Sequence, residues 1–487
     1  MIHKLLYKIT NTMVSFTSSI TSEGLNYMLT ARQKIYYSIC RTGSTILLNV
    51  VFVATFWMYT NQVNLDPMLN GIGNAVGKVV IGISSVVFGI LSDKIPSKSK
   101  IGRRKFFIWT GAPVLAFSFV MLFIPQFIIP SGGQIAKFAW LLIWNSMFHL
   151  FYGYLLIPYQ SWMPEITSED ERVQVSGLMN TVNLVGAAIG SGFVLLMSGF
   201  INKDPQGIYG VAGKYLLVFA LVFGIIELLF FLPALLKIKE REVPEKENNA
   251  WEEIKVALKN KNYMIYVGGF TILNVGVTVL SALILDFLEQ VLGVVDALQK
   301  GIFSGVMLVA VIVSFFFWGR FSKKFGKKWS LIVSFSLLLI WMPLTPIIGR
   351  IPLIPKIVQG YVFSILAVFA VSAVYLFPYA IMADFADEDE RRTSQNRSGL
   401  YTGFKSLPFN IAQALGFILA GFMRDWEKVI GSETVNLGLT WLGPICTIFL
   451  IIAFPIIWKA DLDPFMVDAK VKNTSIFKQI FSRKNRN

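Results

Sequence analysis

Charge is scarce in this chain: 15% of its 487 residues are Asp, Glu, Lys or Arg, where a soluble domain carries about 25%. Histidine occurs only as His3 and His149, and cysteine only as Cys40 and Cys446. Two cysteines in or beside apolar segments spell no metal motif and no disulfide framework. Two histidines are too few for the usual zinc sites. Walker loops, dinucleotide fingerprints and a Ser-His-Asp arrangement are missing too. No enzyme, cofactor or metal centre is expected. Residues 1–42 contain no compact apolar core followed by small residues, so a cleaved signal peptide is not expected either. With Lys4, Lys8, Arg32, Lys34 and Arg41 among them, an interfacial helix or a disordered segment both fit.

What is abundant is apolar: 54% of the chain is hydrophobic. Runs of about 20 residues recur, each long enough to cross a hydrocarbon core of about 30 Å. The reading is an all-α membrane protein with twelve transmembrane helices, at 43–60, 71–92, 105–126, 137–160, 173–198, 213–236, 263–288, 300–318, 329–348, 355–383, 398–422 and 437–459. A cytoplasmic segment 1–42 precedes a six-helix bundle, 43–236. A polar linker, 237–262, leads to a second bundle, 263–459, and a basic tail, 460–487. The aromatic content of 14% suits lipid contact and interfacial belts.

The net charge of +15 is distributed by side. Most Lys and Arg fall in the two ends of the chain and in the loops after the even-numbered spans. The opposite loops hold Lys137, Lys203, Lys214, Lys300, Arg350, Lys356, Arg424 and Lys428. By the positive-inside rule both termini are cytoplasmic in a multi-pass protein of the cell membrane. The basic excess is then a topology signal, and no nucleic-acid partner is expected.

Two stretches occur twice. Pro158-Tyr159, Asp170-Glu171-Arg172 and Ser176-Gly177-Leu178 return as Pro378-Tyr379, Asp389-Glu390-Arg391 and Ser398-Gly399-Leu400. Gly89 to Lys94 with Gly102-Arg103-Arg104-Lys105 is echoed by Gly319 to Lys324 with Gly326-Lys327-Lys328. A charged hinge between spans, repeated half a chain later, is the mark of a duplicated transporter.

The Asp93 hairpin with Gly102-Arg103-Arg104 resembles the loop between helices 2 and 3 of the major facilitator superfamily (MFS). Ile157-Pro158-Tyr159 with Pro164-Glu165-Ile166-Thr167 and Glu171-Arg172 is similar to the glycoside–pentoside–hexuronide:cation symporters, the melibiose-permease family. So are Met382-Ala383-Asp384, Asp387 and Arg397-x-Gly399. The resemblance implies two six-helix bundles around a central cavity open alternately to each side, and symport of a sugar or glycoside. The chain departs from that pattern at the cation site. The helix-2 carboxylates are replaced by Ile81 and Ser85, a helix-4 aspartate by Leu156, and the helix-2 arginine by Lys78. The resemblance therefore implies H⁺ coupling or none, with an acidic sugar as a sub-reading. A lysophospholipid carrier on the same scaffold and a non-transporting membrane sensor are the alternatives.

Ionisable groups inside a membrane are costly and mark function. Lys78 would meet an anionic substrate group or switch between acidic partners, unless it snorkels. Lys405 poses the same choice near the cytoplasmic end of its span. Asn145, His149, Tyr152 and Leu156 share one helical face, for binding a hydroxyl or carrying a proton, or simply for gluing helices together. Asn49 and Asn180 suit hydroxyls. Glu227, mid-span, and Asp286 and Glu289, near the outer end of span 7, are candidate proton-coupling acids. The competing readings are a lysine partner for Glu227 and the wet outer interface, which is the expected place, for Asp286 and Glu289. The hinge charges Asp93, Arg103, Arg104, Glu165, Asp170, Glu171, Arg172, Asp384, Asp389, Glu390 and Arg391 would form a cytoplasmic gate. The expected partners are the bilayer, a small-molecule solute and H⁺, and the expected unit is a monomer.

Overall fold

The computed structural model describes residues 29–94, 102–167, 169–240, 255, 258–393, 398–430 and 433–463. Both chain ends, most of the 237–262 linker and the side chains of Asp93, Asp170, Arg172 and Glu390 lie outside the described residues. Among those described, 12 helices are long and apolar enough to cross a membrane. They are α1 (Ala31–Asn61), α2 (Pro67–Lys94), α3 (Arg103–Leu122), α4 (Gln134–Ile166), α5 (Glu169–Lys203) and α6 (Val211–Lys237), then α7 (Lys261–Val291), α8 (Ala297–Phe325), α9 (Lys327–Ile347), α10 (Lys356–Thr393), α11 (Ser398–Asp425) and α12 (Leu442–Lys459). A hairpin of β1 (Glu427–Ile430) and β2 (Glu433–Asn436) links the last two.

Helices dominate because lipid offers no hydrogen bonds to an open backbone. Their starts are set locally. Thr30 accepts from Gln33 N and Gln33 accepts from Thr30 N, a reciprocal cap that starts α1 at Ala31, ahead of the expected residue 43. Arg32, Lys34 and Arg41 are therefore helical. Asn260 caps α7 by accepting from Tyr263 N, and Asp296 caps α8 by accepting from Leu298 N and Gln299 N. α10 is interrupted at Phe377, before Pro378, where the proline has no N–H to continue the ladder.

Each set of six helices has its own apolar core. One runs from Tyr37 to Ile238 and takes in only Leu285 from the second set. The other runs from Tyr263 to Leu462 and takes in Phe56 and Ala75 from the first. We call the end of the molecule that holds Ala31 and Lys459 proximal, and the opposite end distal.

The duplication is visible as matched staples at the proximal end. Gly102 and Gly326 precede α3 and α9 with φ of 93° and 91°, a left-handed conformation that glycine adopts without a Cβ penalty. Glu240, just past α6, accepts from the backbone N–H of Arg104 and Lys105. Asp463, just past α12, accepts from those of Lys327 and Lys328. An anion at a helix N-terminus satisfies orphan donors and complements the dipole.

Candidate functional site

The halves meet along α2–α11 and α5–α8, and also where α1 faces α7. α2 lies on α11 through small residues: a Cβ on Gly71 would come within 2.5 Å of Phe417 O, and one on Gly421 within 2.6 Å of Pro67 O. α5 lies on α8 at Gly199, which abuts the backbone of Ala297, and at Gly301, which abuts Leu196. The glycine contacts named lie in the distal half of the molecule, and α2 stays on α11 at least as far as Gly82, where a Cβ would come within 3.2 Å of Leu407. Toward the proximal end the faces of α5 and α8 separate. Leu178, Val185 and Ile189 on α5, and Leu308 and Ile312 on α8, are exposed, and Gly177 and Gly305 face open space. The structure is closed distally and splayed proximally.

Lys78 sits at the closed seam. It is 4% exposed, and its Nζ lies 4.7 Å from the ring centre of Phe52 on α1 and 6.0 Å from that of Phe417 on α11. The two rings meet edge to face at 5.7 Å and 85°. A cation held by aromatic faces from both halves is held weakly, and its three donors suit an arriving anion. One residue earlier, Gly77 lets α4 close on α2: a Cβ there would come within 2.6 Å of Asn145 Nδ2 and 2.9 Å of His149 Nδ1. His149 Nδ1 bonds Asn145 O at 2.9 Å, and Asn145 donates to Gly73 O. His149 Nε2 and Asn145 Oδ1 are buried without a hydrogen-bond partner among the described residues. Such groups cost stability and are kept where something uses them. Tyr152 is 6% exposed on the next turn.

The other sequence candidates lie apart from this cluster. Asn49 donates to Thr45 O within α1, and Thr45 in turn donates to Asn183 Oδ1 on α5. Asn180 is exposed on the proximal stretch of α5, on the side away from Leu178, Val185 and Ile189. Glu227 is fully buried between α6 and α1, where Oε1 accepts from Ser44 at 2.6 Å and Gly43 makes room for Oε2. Lys405 lies over the Phe409 ring at 4.9 Å on the proximal stretch of α11. A cavity of about 790 Å³ opens at the proximal end of the second half, lined by Lys259, Lys261, Glu388, Asp389, Arg392 and Lys459 among others. It is remote from Lys78.

Among the described hinge charges, Arg103, Arg104, Glu165, Glu171 and Asp384 pair within their own halves. Glu165 takes both Arg103 (2.6 Å) and Arg104 (2.5 Å), and Arg104 also donates to Ser92. Lys34 pairs with Glu171 at 3.0 Å. In the second half Lys327 pairs with Asp384, the counterpart of the Arg–Glu165 pair. Asp389 is buried and Arg391 exposed at the proximal end of α10.

At the distal end, charged groups paired within the second half reach neutral side chains of the first. Glu289 on α7 accepts from Lys300 Nζ (2.5 Å, α8), Asn202 Nδ2 (2.9 Å, α5) and Trp57 Nε1 (3.0 Å, α1). Lys300 also donates to Ser198 at 2.9 Å. Asp286 Oδ1 accepts from Arg424 Nε at 3.0 Å and Asn61 Nδ2 at 2.9 Å, and Arg424 donates to Asn61 Oδ1. Outside this, Lys203 pairs with Asp296 at 2.6 Å, a hydrogen bond that holds the Asp296 carboxyl below its usual range. The expected placement of Asp286 and Glu289 in a wet interface needs correction. Asp286 and Lys300 are 0% exposed, because residues from α1 and α5 cover them. The outer-loop position expected for Lys300 fails for the same reason.

A family model for MFS/sugar transport proteins matches residues 35–425. The chain belongs to that family. As an MFS protein it is a membrane transporter, not an enzyme; it lies in a bilayer and carries a small-molecule solute. A putative sulfoquinovose importer of Salmonella typhimurium is 23% identical, covering 86% of this chain and 86% of its own. A sodium-dependent lysophosphatidylcholine symporter of Xenopus tropicalis is 20% identical over 77% of this chain and 76% of its own. Among solved structures, a bacterial homologue of the lysosomal transporter Spinster matches with a TM-score of 0.64 at 14% identity, covering 88% and 96% of the two chains. That last likeness shows the MFS fold. The distal clasp of this MFS transporter escaped sequence reading because its members are spread over α1, α5, α7, α8 and α11. The available signal was two acids at the end of span 7 facing cations at the start of span 8 and the end of span 11.

Proposed function

We propose that the protein moves a sugar or glycoside with an acidic group across the cell membrane by alternating access, as a monomer, H⁺-coupled or uncoupled. The observation that carries this is Lys78, a buried amine on the seam between the halves with aromatic faces against it and, among the described residues, no carboxylate paired with it. His149 Nε2 and Asn145 Oδ1, one turn away on α4, have unused capacity for hydroxyls. The sulfoquinovose importer among the relatives supports the same class. With the termini in the cytoplasm, as the Lys and Arg distribution indicates, the splayed proximal end is the inner mouth. The hinge charges then act as the inner gate, from Asp93, Arg103, Arg104, Glu165, Asp170, Glu171 and Arg172 to Asp384, Asp389, Glu390 and Arg391. Pairs now made within halves would exchange for pairs between them when the proximal end closes.

The test is uptake into proteoliposomes together with thermal stability of the purified protein, using uronic and sulfonated sugars, neutral glycosides and lysophospholipids, with and without Na⁺. A ligand of the folded state raises its melting temperature by mass action. Acidic sugars should protect and be transported, and Lys78→Gln should raise their KM while leaving neutral analogues unchanged. Equal KM changes for neutral and acidic sugars would refute the role of Lys78. A second reading, transport of a lysophospholipid, is favoured by the exposed apolar faces of α5 and α8 at the proximal mouth. Protection by lipids alone would establish it.

A further inference from the structure

Four ionisable groups are gathered where the halves touch distally. Asp286 and Glu289 on α7 face Lys300 on α8 and Arg424 on α11, two acids against two bases. The side chains of Asp286 and Lys300 are 0% exposed, and those of Glu289 and Arg424 are 12% and 13% exposed. From α1 only the neutral Trp57 and Asn61 face them, and from α5 the neutral Ser198 and Asn202. Lys203 of α5 and Asp296 pair with each other nearby, and Glu427 pairs with Arg424 on its exposed side. Each acid also holds the first half directly, Glu289 through Trp57 and Asn202 and Asp286 through Asn61. Asp286 Oδ2 is buried with no hydrogen-bond partner among the described residues.

The balance makes this cluster sensitive to one proton. A buried pair that loses one charge leaves the other uncompensated, at a cost larger than the pair was worth. A proton taken from water onto Asp286 or Glu289 forms one O–H bond and leaves the cluster with one unmatched cation between the halves. It also withdraws a carboxylate lone pair from donors of α1 and α5. The state that relieves both is the one in which the distal faces part and water reaches Lys300 and Arg424.

We infer that the distal clasp is the proton-coupling site of this transporter, protonation of the Asp286–Glu289 pair releasing the two halves at the distal face. The inference rests on alternating access as proposed above, and it assigns the coupling step to residues other than Glu227 and His149.

The experiment reads opening without any substrate, so it is independent of which solute is carried. Leu195 of α5 packs against the apolar cores of both halves. Leu195→Cys, in a chain with Cys40→Ser and Cys446→Ser, is reacted in intact cells with a membrane-impermeant maleimide at about pH 5.5 and about pH 7.5, values bracketing the range of perturbed carboxyls. Labelling is normalised to the same cysteine in unfolded protein at each pH. Acid should raise normalised labelling several-fold. Asp286→Asn/Glu289→Gln should label at the acid level at both pH values, and the conservative Asp286→Glu should keep the pH response. Co-elution of each variant as a monodisperse peak shows that it has folded. Low labelling of the double variant, or a pH response that survives in it, would overturn the assignment even where transport of an acidic sugar is established. Loss of sugar transport with the pH response intact would instead remove the substrate reading alone.

Discussion

Glu165→Gln tests one of two matched ion pairs that differ in burial. Glu165 Oε1 receives Arg103 Nη2 at 2.6 Å and Arg104 Nε and Nη2 at 3.0 and 2.5 Å. The Arg103 and Arg104 side chains are 9% and 3% exposed, and that of Glu165 is 10% exposed. Removing the one carboxylate leaves two guanidinium groups side by side with little water. Breaking a buried pair by removing one partner costs about 3–5 kcal/mol. In the second half, Lys327 and Asp384 are 25% and 19% exposed, closer to the surface regime in which a pair is worth about 1 kcal/mol or less. Asp384→Asn should therefore cost several-fold less than Glu165→Gln, although the two positions correspond in the duplication. The assay is reversible unfolding of each variant in mixed micelles, followed by tryptophan fluorescence against denaturant. Equal losses in the two variants would refute the argument from burial. A larger loss in Asp384→Asn would reverse it.

Other outcomes follow from single contacts. Gly199→Val places two methyls against the backbone of Ala297. Overpacking of about 1–3 kcal/mol should raise distal accessibility of the Leu195→Cys reporter at neutral pH, and unchanged labelling would contradict the α5–α8 contact. Gly326→Ala must hold φ 91° with ψ 163°, a combination nearly confined to glycine, and should lower stability by about 1–3 kcal/mol, measured by denaturant titration. Ser44→Ala deprives buried Glu227 of its 2.6 Å hydrogen bond and should cost about 1–3 kcal/mol without altering the acid response of distal labelling; a shifted response would bring Glu227 back as a coupling acid. Asp296 lies outside the spans with its carboxyl held low by Lys203. Its stabilisation is present above the unfolded pKa and is lost as pH falls through the lower folded value. Asp296→Asn should therefore leave any response at about pH 5.5 in place, since that pH is above the ordinary carboxyl range.

Much of the architecture was legible because lipid imposes it. A helix that must bury every backbone group in hydrocarbon announces itself in about 20 apolar residues, and duplication announces itself in repeated hinges. The start of α1 was not legible, since a cap at Thr30 outweighs the charges of Arg32 and Lys34 that seemed to end the span. The site was legible in part. Spacing put Asn145, His149 and Tyr152 on one face, and apolar surroundings singled out Lys78. What spacing could not supply was the partner of each polar group. Lys300 and Arg424 read as loop cations because their neighbours in sequence are loop-like. Their neighbours in space are Glu289 and Asp286, on a different helix in each case. Pairing across helices is set by which faces meet, and that is decided by glycines such as Gly71, Gly199 and Gly421, whose side chains say nothing.

The proximal staples have a consequence for how the chain could be divided. Glu240 closes the first six helices onto α3, and Asp463 closes the last six onto α9, each using a carboxylate from its own half. Neither closure reaches across residues 241–254. A chain cut within that interval would yield two fragments, each with its own core and its own finished end. What would remain to reunite them are the α2–α11 and α5–α8 seams, the Lys203–Asp296 pair and the distal clasp, so reassembly of the fragments would weigh those contacts directly, and would weaken in acid by as much as the clasp contributes.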